Sequence, residues 1–115
     1  MIVPPTEFIF QYDLDDNGLL YWMGSFGKRN IWQNPHHIQQ VTVFASSIGA
    51  GKLDDFVGRE AVNCRTINEY SAFMGVDLGK DRHFLPSMYT IRNRNCSQFV
   101  LLNWMFQASN DKVNW

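Results

Sequence analysis

The chain has 115 residues, 45% hydrophobic and 18% charged, enough for a single buried core and too apolar for a disordered segment. Its net charge of −1 argues against nucleic acid as a partner. No apolar run approaches the ~20 residues of a membrane-spanning helix, and "MIVPPTEF" lacks the basic start and apolar stretch of a signal peptide.

The first element turns on "QYDLDDNGLLYW", residues 11–22. Asp13, Asp15, Asn17 and Gly18 satisfy the first, third, fifth and sixth positions of a calcium-binding EF-hand loop. The twelfth position, where a bidentate glutamate must close the shell, is Gly24. The flanks "EFIFQY" and "LLYWM" are short aromatic or apolar runs, with Phe8, Phe10 and Tyr12 alternating. Asn-Gly between such runs predicts a hairpin turn, since both residues tolerate positive φ. The reading is a turn, with no metal and no cofactor.

Further along, the periodicity is that of strands. "QQVTVFA" (39–45) places Val41, Val43 and Ala45 on one face, and "FMGVDLG" (73–79) does the same for Met74, Val76 and Leu78. "MYTIR" (88–92) follows Pro86, which suits the start of a strand. "FVLLNWMFQ" (99–107) aligns Val100, Leu102, Trp104 and Phe106, a face large enough to anchor a core. Polar, glycine-rich segments separate these runs. The pattern predicts one all-β domain over residues 1–115, an antiparallel sandwich or barrel.

Catalytic and metal motifs fail on inspection. "SSIGAGKLD" has Ser46 and Leu53 where a phosphate loop needs Gly and Ser or Thr, so it reads as a connection between strands. His36 and His37 are neighbours that point to opposite sides of an extended chain. Cys64 and His83 lie 19 residues apart with nothing to orient either. Asp54 and Asp55 read as solvated acids. Two cysteines, Cys64 and Cys96, are too few for a disulfide framework and read as reduced thiols of an intracellular, cytoplasmic protein. The chain reads as a non-enzyme.

Three stretches carry a family resemblance: "VDLG" (76–79), "LPSMYTIR" (85–92) and "NWMFQASNDKVNW" (103–115). The last is similar to the W-x-x-x-G-S-N-D-x-x-x-W pattern of the discoidin-like, coagulation-factor C-type branch of the galactose-binding-like β-sandwiches, with Ala108 in place of glycine. The opening "FQYDLDDNGLLYWMGS" and "WQNP" resembles the variant found beside BTB or HECT-type ubiquitin-ligase regions in large intracellular proteins. The resemblance implies a jelly-roll-like sandwich. In it Trp104 is core, Ser109-Asn110-Asp111 is a turn whose side chains bond backbone amides, and Trp115 packs back on the sheet. Such domains continue past the final tryptophan, so the resemblance also implies missing C-terminal strands and self-association through an open sheet edge.

The implied ligand site lies on loops at one end of the sandwich, where Trp32, Arg59, Arg65, Asn68, Glu69, Arg92, Asn93, Arg94 and Asn95 are the candidates. Arginine and tryptophan are enriched at binding hot spots. Arg92 and Arg94 share strand parity and could form a fork for carboxylate or phosphate; the structural alternative pairs Arg92 with Asp77 or Glu69. A protein segment is the expected partner, in a ubiquitin-ligase setting. A carbohydrate or lipid headgroup is the alternative, disfavoured by polar loop tips.

Overall fold

The computed structural model describes residues 6–93 and 101–115. Four elements follow in order: a helix α1 (Leu19–Gly24), a strand β1 (Thr42–Ala45), a 3₁₀ turn (Leu53–Val57) and a strand β2 (Met74–Asp77).

The two strands form where the sequence alternates. They pair antiparallel with Val43 opposite Val76 and Phe44 opposite Gly75. Val41 and Val43 are buried while Thr42 faces solvent, which is the period-2 pattern of a half-covered strand. The Phe44 ring lies over Gly75, where a Cβ would run into it. A two-stranded ribbon is marginal alone. Here Met23 of α1, Val41, Val43 and Val57 of the 3₁₀ turn form its core, with Leu19, Leu20, Leu53, Phe56, Val76 and Leu78 packed around them.

The expected first hairpin is replaced by a helix. Asn17 and Gly18 both keep negative φ, whereas the predicted turn needs positive φ at both. Gly18 is instead the extended residue before α1 (φ −93°, ψ 165°), and its carbonyl accepts the Trp22 N–H at 3.0 Å. Leu19, Leu20 and Met23 then meet the core at helical spacing. The preceding reversal is closed by Asp15, whose carboxylate accepts the N–H groups of Gln11 (2.8 Å), Tyr12 (3.3 Å) and Asn17 (3.1 Å). At the other end of α1, the fully buried Ser25 donates its hydroxyl to the Tyr21 carbonyl (2.8 Å) and accepts the Lys28 N–H (3.0 Å).

The last quarter of the chain departs most from expectation. Residues 88–92 and 101–107 form no strand; residues 99 and 100 of the second run lie outside the described residues. Leu102, Trp104 and Phe106 are 80%, 51% and 53% exposed, because among the described residues no second layer covers them. The Ser109-Asn110-Asp111 turn forms as expected. The Ser109 hydroxyl accepts the Lys112 N–H (2.9 Å), and Asp111 accepts those of Val113 and Asn114 (2.9 Å each). It returns Trp115 to within 6.4 Å of the Phe44 ring, and Lys112 pairs with Asp77 of β2 at 2.6 Å. Among the described residues no helix is long and apolar enough to cross a membrane.

Candidate functional site

The loops that carry the sequence candidates are held mainly by backbone and side-chain bonds of their own. After β1, residues 46–50 run against 65–73: Gly49 N–H donates to the Arg65 carbonyl (2.8 Å), Arg65 N–H to the Ala50 carbonyl (3.0 Å), and Ser46 N–H to the Phe73 carbonyl (3.0 Å). Ser47 accepts the Ile67 N–H (3.0 Å) and donates to Glu69 Oε1 (2.8 Å). Glu69 therefore pins two loops together. Arg65 is half-buried and donates to the neighbouring Thr66 carbonyl at 3.1 Å, and Asn68 is exposed beside it.

Arg59 is committed to the opening segment. Its Nη2 donates to the Leu14 carbonyl (3.2 Å) and to Asp16 Oδ1 (2.9 Å), and its guanidinium stacks 4.7 Å from the centre of the Tyr21 ring. These contacts tie the loop after the 3₁₀ turn to α1, a structural clamp. Trp32 is half-buried against the end of α1, with its indole so close to Gly24 that a Cβ there would collide with it.

Arg92 has neither of its anticipated carboxylate partners. Lys112 takes Asp77 and Ser47 takes Glu69, while Arg92 Nη2 donates to the Glu60 carbonyl at 3.3 Å with its side chain exposed. Asn93 Oδ1 accepts the Leu101 N–H at 2.9 Å. Arg94 and Asn95 lie outside the described residues. The candidates thus fall at separate places: Trp32 on α1, Arg59 on its clamp, Arg65 to Glu69 on the paired loops, and Arg92 with Asn93 on a ribbon of aromatic residues.

That ribbon holds Trp104 and Phe106, which the alternation predicts as core. Tyr89 stacks on Phe106 with ring centres 4.5 Å apart and 13° between planes. Trp104 Nε1 donates to the Tyr89 hydroxyl at 2.9 Å. The alternation of residues 100–106 is the same for a covered strand and for an exposed one, so the sequence carries no sign of this exposure.

The remaining reactive groups are engaged structurally. Asp54 is in contact with the His37 ring nitrogen and Asp55 accepts the Lys52 N–H (2.9 Å), so neither is the solvated acid expected. Cys64 donates to the Lys52 carbonyl (3.3 Å). Burial first, then the charges of Asp55 and Asp54, push its thiol pKa up, away from the thiolate that a nucleophile requires. No group of three His, Cys, Asp or Glu among the described residues is placed to hold a metal.

Comparison with known proteins gives the chain its setting. It is 34% identical, over 96% of its length, to part of the E3 ubiquitin-protein ligase Ufd4 of Drosophila melanogaster. It is 33% identical over 90% of its length to part of the E3 ubiquitin-protein ligase hecd-1 of Caenorhabditis elegans. A BTB/POZ domain-containing protein of Arabidopsis thaliana is 26% identical over 95% of the chain. The chain spans 4% of each ligase and 14% of the plant protein. No family model matches it, and no solved structure does. Nearly the whole chain is therefore similar to a small segment of large ubiquitin-ligase proteins, and to a segment of a BTB/POZ domain-containing protein.

Proposed function

We propose that the chain is a non-catalytic recognition module that binds a protein segment, and that it serves an intracellular ubiquitin ligase by recruiting a partner or substrate. The observation that carries this reading is the match itself: almost the entire chain corresponds to 4% of two ligases, the relation of an accessory segment to a large enzyme. The exposed cluster of Tyr89, Trp104 and Phe106 supports it, because aromatic residues supply large contact area and directional bonds at protein interfaces. The discoidin-like sandwich is the fold proposed for the chain; it rests on the sequence resemblance, and the antiparallel β1–β2 pair is the part of a sheet that the described residues form.

The test uses the 115-residue chain as bait in cell extract, in parallel with a glycan array and lipid-coated strips. The reading expects capture of a protein by the wild-type chain that is lost from an Arg92→Ala, Arg94→Ala double variant. Binding confined to the glycan or lipid surfaces would overturn it in favour of a carbohydrate or headgroup ligand.

A further inference from the structure

Of the two adjacent histidines, His36 reaches the sheet. Antiparallel strands bond through alternate residues. Val43 stands opposite Val76, and the Ser46 N–H donates to the Phe73 carbonyl at 3.0 Å. Thr42, Phe44 and Ser46 therefore turn their backbone groups toward β2, and Val43 turns its own to the outer edge of β1. There the Val43 N–H donates to His36 Nδ1 at 3.1 Å. An open strand edge is ordinarily blunted by a charge, a proline or a covering loop. Here an imidazole nitrogen does it.

The loop before β1 holds the ring in place. Pro35 is fully buried, and its carbonyl accepts the N–H groups of Gln40 (2.8 Å) and Val41 (3.2 Å). Asn34 Oδ1 accepts the His36 N–H at 2.9 Å, and Asn34 Nδ2 donates to the Asp54 carbonyl at 2.8 Å. His36 itself is half-buried.

The bond to Val43 sets a condition on protonation. A backbone N–H can donate only to a ring nitrogen without a proton, so the proton of neutral His36 sits on Nε2. An imidazolium carries N–H on both nitrogens and would set donor against donor. The charged groups that reach this loop are Asp54 of the 3₁₀ turn, in contact with the His37 ring, and Arg82 after β2, which bonds Gln40. Neither bonds the His36 ring. β1 has no charged side chain, and Asp77 of β2 is taken by Lys112. The two histidines thus make opposite demands. A proton on His37 favours its Asp54 contact, and a proton on His36 breaks its bond to β1.

We propose that His36 is a proton-sensitive cap on the outer edge of β1. Unprotonated, it closes the edge at Val43; protonated, it releases the Val43 N–H and leaves that edge open. The unfolded chain places no such restriction on the ring. Stability rises with pH wherever the unfolded state binds more protons. The contribution of this bond is therefore present at the upper end of the range in which histidine changes charge, about pH 5 to 8, and is lost as pH falls.

The test is an NMR titration of the 15N-labelled 115-residue chain from about pH 8 to about pH 5. Long-range correlation through the ring should show Nδ1 bare and Nε2 protonated at the upper end. The Val43 amide signal should then move together with the His36 ring as it gains its proton. Protection of that amide from hydrogen exchange should fall about tenfold, the size of one hydrogen bond. His36→Asn places a non-titrating oxygen near the Nδ1 position, so its Val43 amide should keep shift and protection throughout. His37→Gln removes the other imidazole and should leave the wild-type behaviour of Val43 intact. A His36 ring protonated on Nδ1 at the upper end, or a Val43 amide that ignores the ring titration, would overturn the proposal without recourse to either variant. So would a His36→Asn chain whose Val43 amide follows pH as the wild type does.

Discussion

Asp15 occupies a ligand position of the apparent calcium loop, yet its oxygens accept N–H groups. The Gln11 N–H is the largest influence on its carboxyl, and with Asn17 and Tyr12 it holds the pKa at about 2 against an ordinary 3.8. A carboxyl whose folded pKa is depressed contributes stability that is fully present above the ordinary value and is lost as pH falls through the folded one. Asp15→Ala is therefore expected to lower the Tm at pH 7, and the gap from wild type should close between about pH 4 and pH 2. A gap that persists at pH 2 would contradict this account. Because these oxygens are used by the backbone, adding a chelator should leave the wild-type Tm unchanged; a drop of many degrees would reveal a bound metal. Asp77 follows the same sign. The Lys112 ammonium, and then the Gly79 N–H, hold its carboxyl below the ordinary range. Lys112→Ala should raise the Asp77 pKa, measured by carboxyl NMR titration. Both side chains are over a third exposed, so solvent screening limits the stability lost to roughly 1 kcal/mol or less. Trp115 fluorescence should change with it, since Lys112 also sits 5.2 Å over the Phe44 ring that Trp115 approaches. An unchanged Asp77 titration would mean that the pair does not form in solution.

At the scale of elements, the legible parts were those where pattern and packing agree. β1 and β2 were readable because period-2 alternation needs only one covering face, and Met23, Val57 and their neighbours supply it. α1 was not readable as a helix. Aromatic flanks and an Asn-Gly pair both spoke for a hairpin, and the helical spacing of Leu19, Leu20 and Met23 is visible only once the core that receives them is known. Six residues hold no helix alone, so α1 depends on that tertiary burial. Met23→Ala, which empties a buried position, should cost about 2–5 kcal/mol, a large part of the ~5–15 kcal/mol margin of a domain; chemical denaturation would measure it, and a loss under 1 kcal/mol would show that α1 is not anchored there. The cross-strand packing of Phe44 on Gly75 makes a second prediction. Gly75→Ala adds one methyl where the ring already lies and should destabilise by about 1–3 kcal/mol through overpacking. Phe44→Leu in the same background should recover part of that loss.

At the scale of the whole molecule, the loop end of the chain was legible as a set of residue types and not as a surface. Arg59, Arg65 and Glu69 were singled out for their chemistry, and the fold uses their side chains for internal contacts. A sequence shows that an arginine is present and leaves open which carbonyl or carboxylate will meet it. Arg92 kept its place because the acids expected to neutralise it pair elsewhere. Tyr89, Trp104 and Phe106 were hidden by their own alternation, which is the same for a covered strand and for an exposed ribbon. If the exposed cluster of Tyr89, Trp104 and Phe106 receives a protein segment, as proposed, the Trp104 indole N–H, bonded to Tyr89, reports on it. Two-dimensional NMR of the 15N-labelled chain, titrated with the protein captured from cell extract, resolves the tryptophan indole signals. The Trp104 signal should shift progressively to saturation while those of Trp22 and Trp32 stay in place. A titration in which the Trp32 signal moves and the Trp104 signal does not would place recognition elsewhere and contradict the claim.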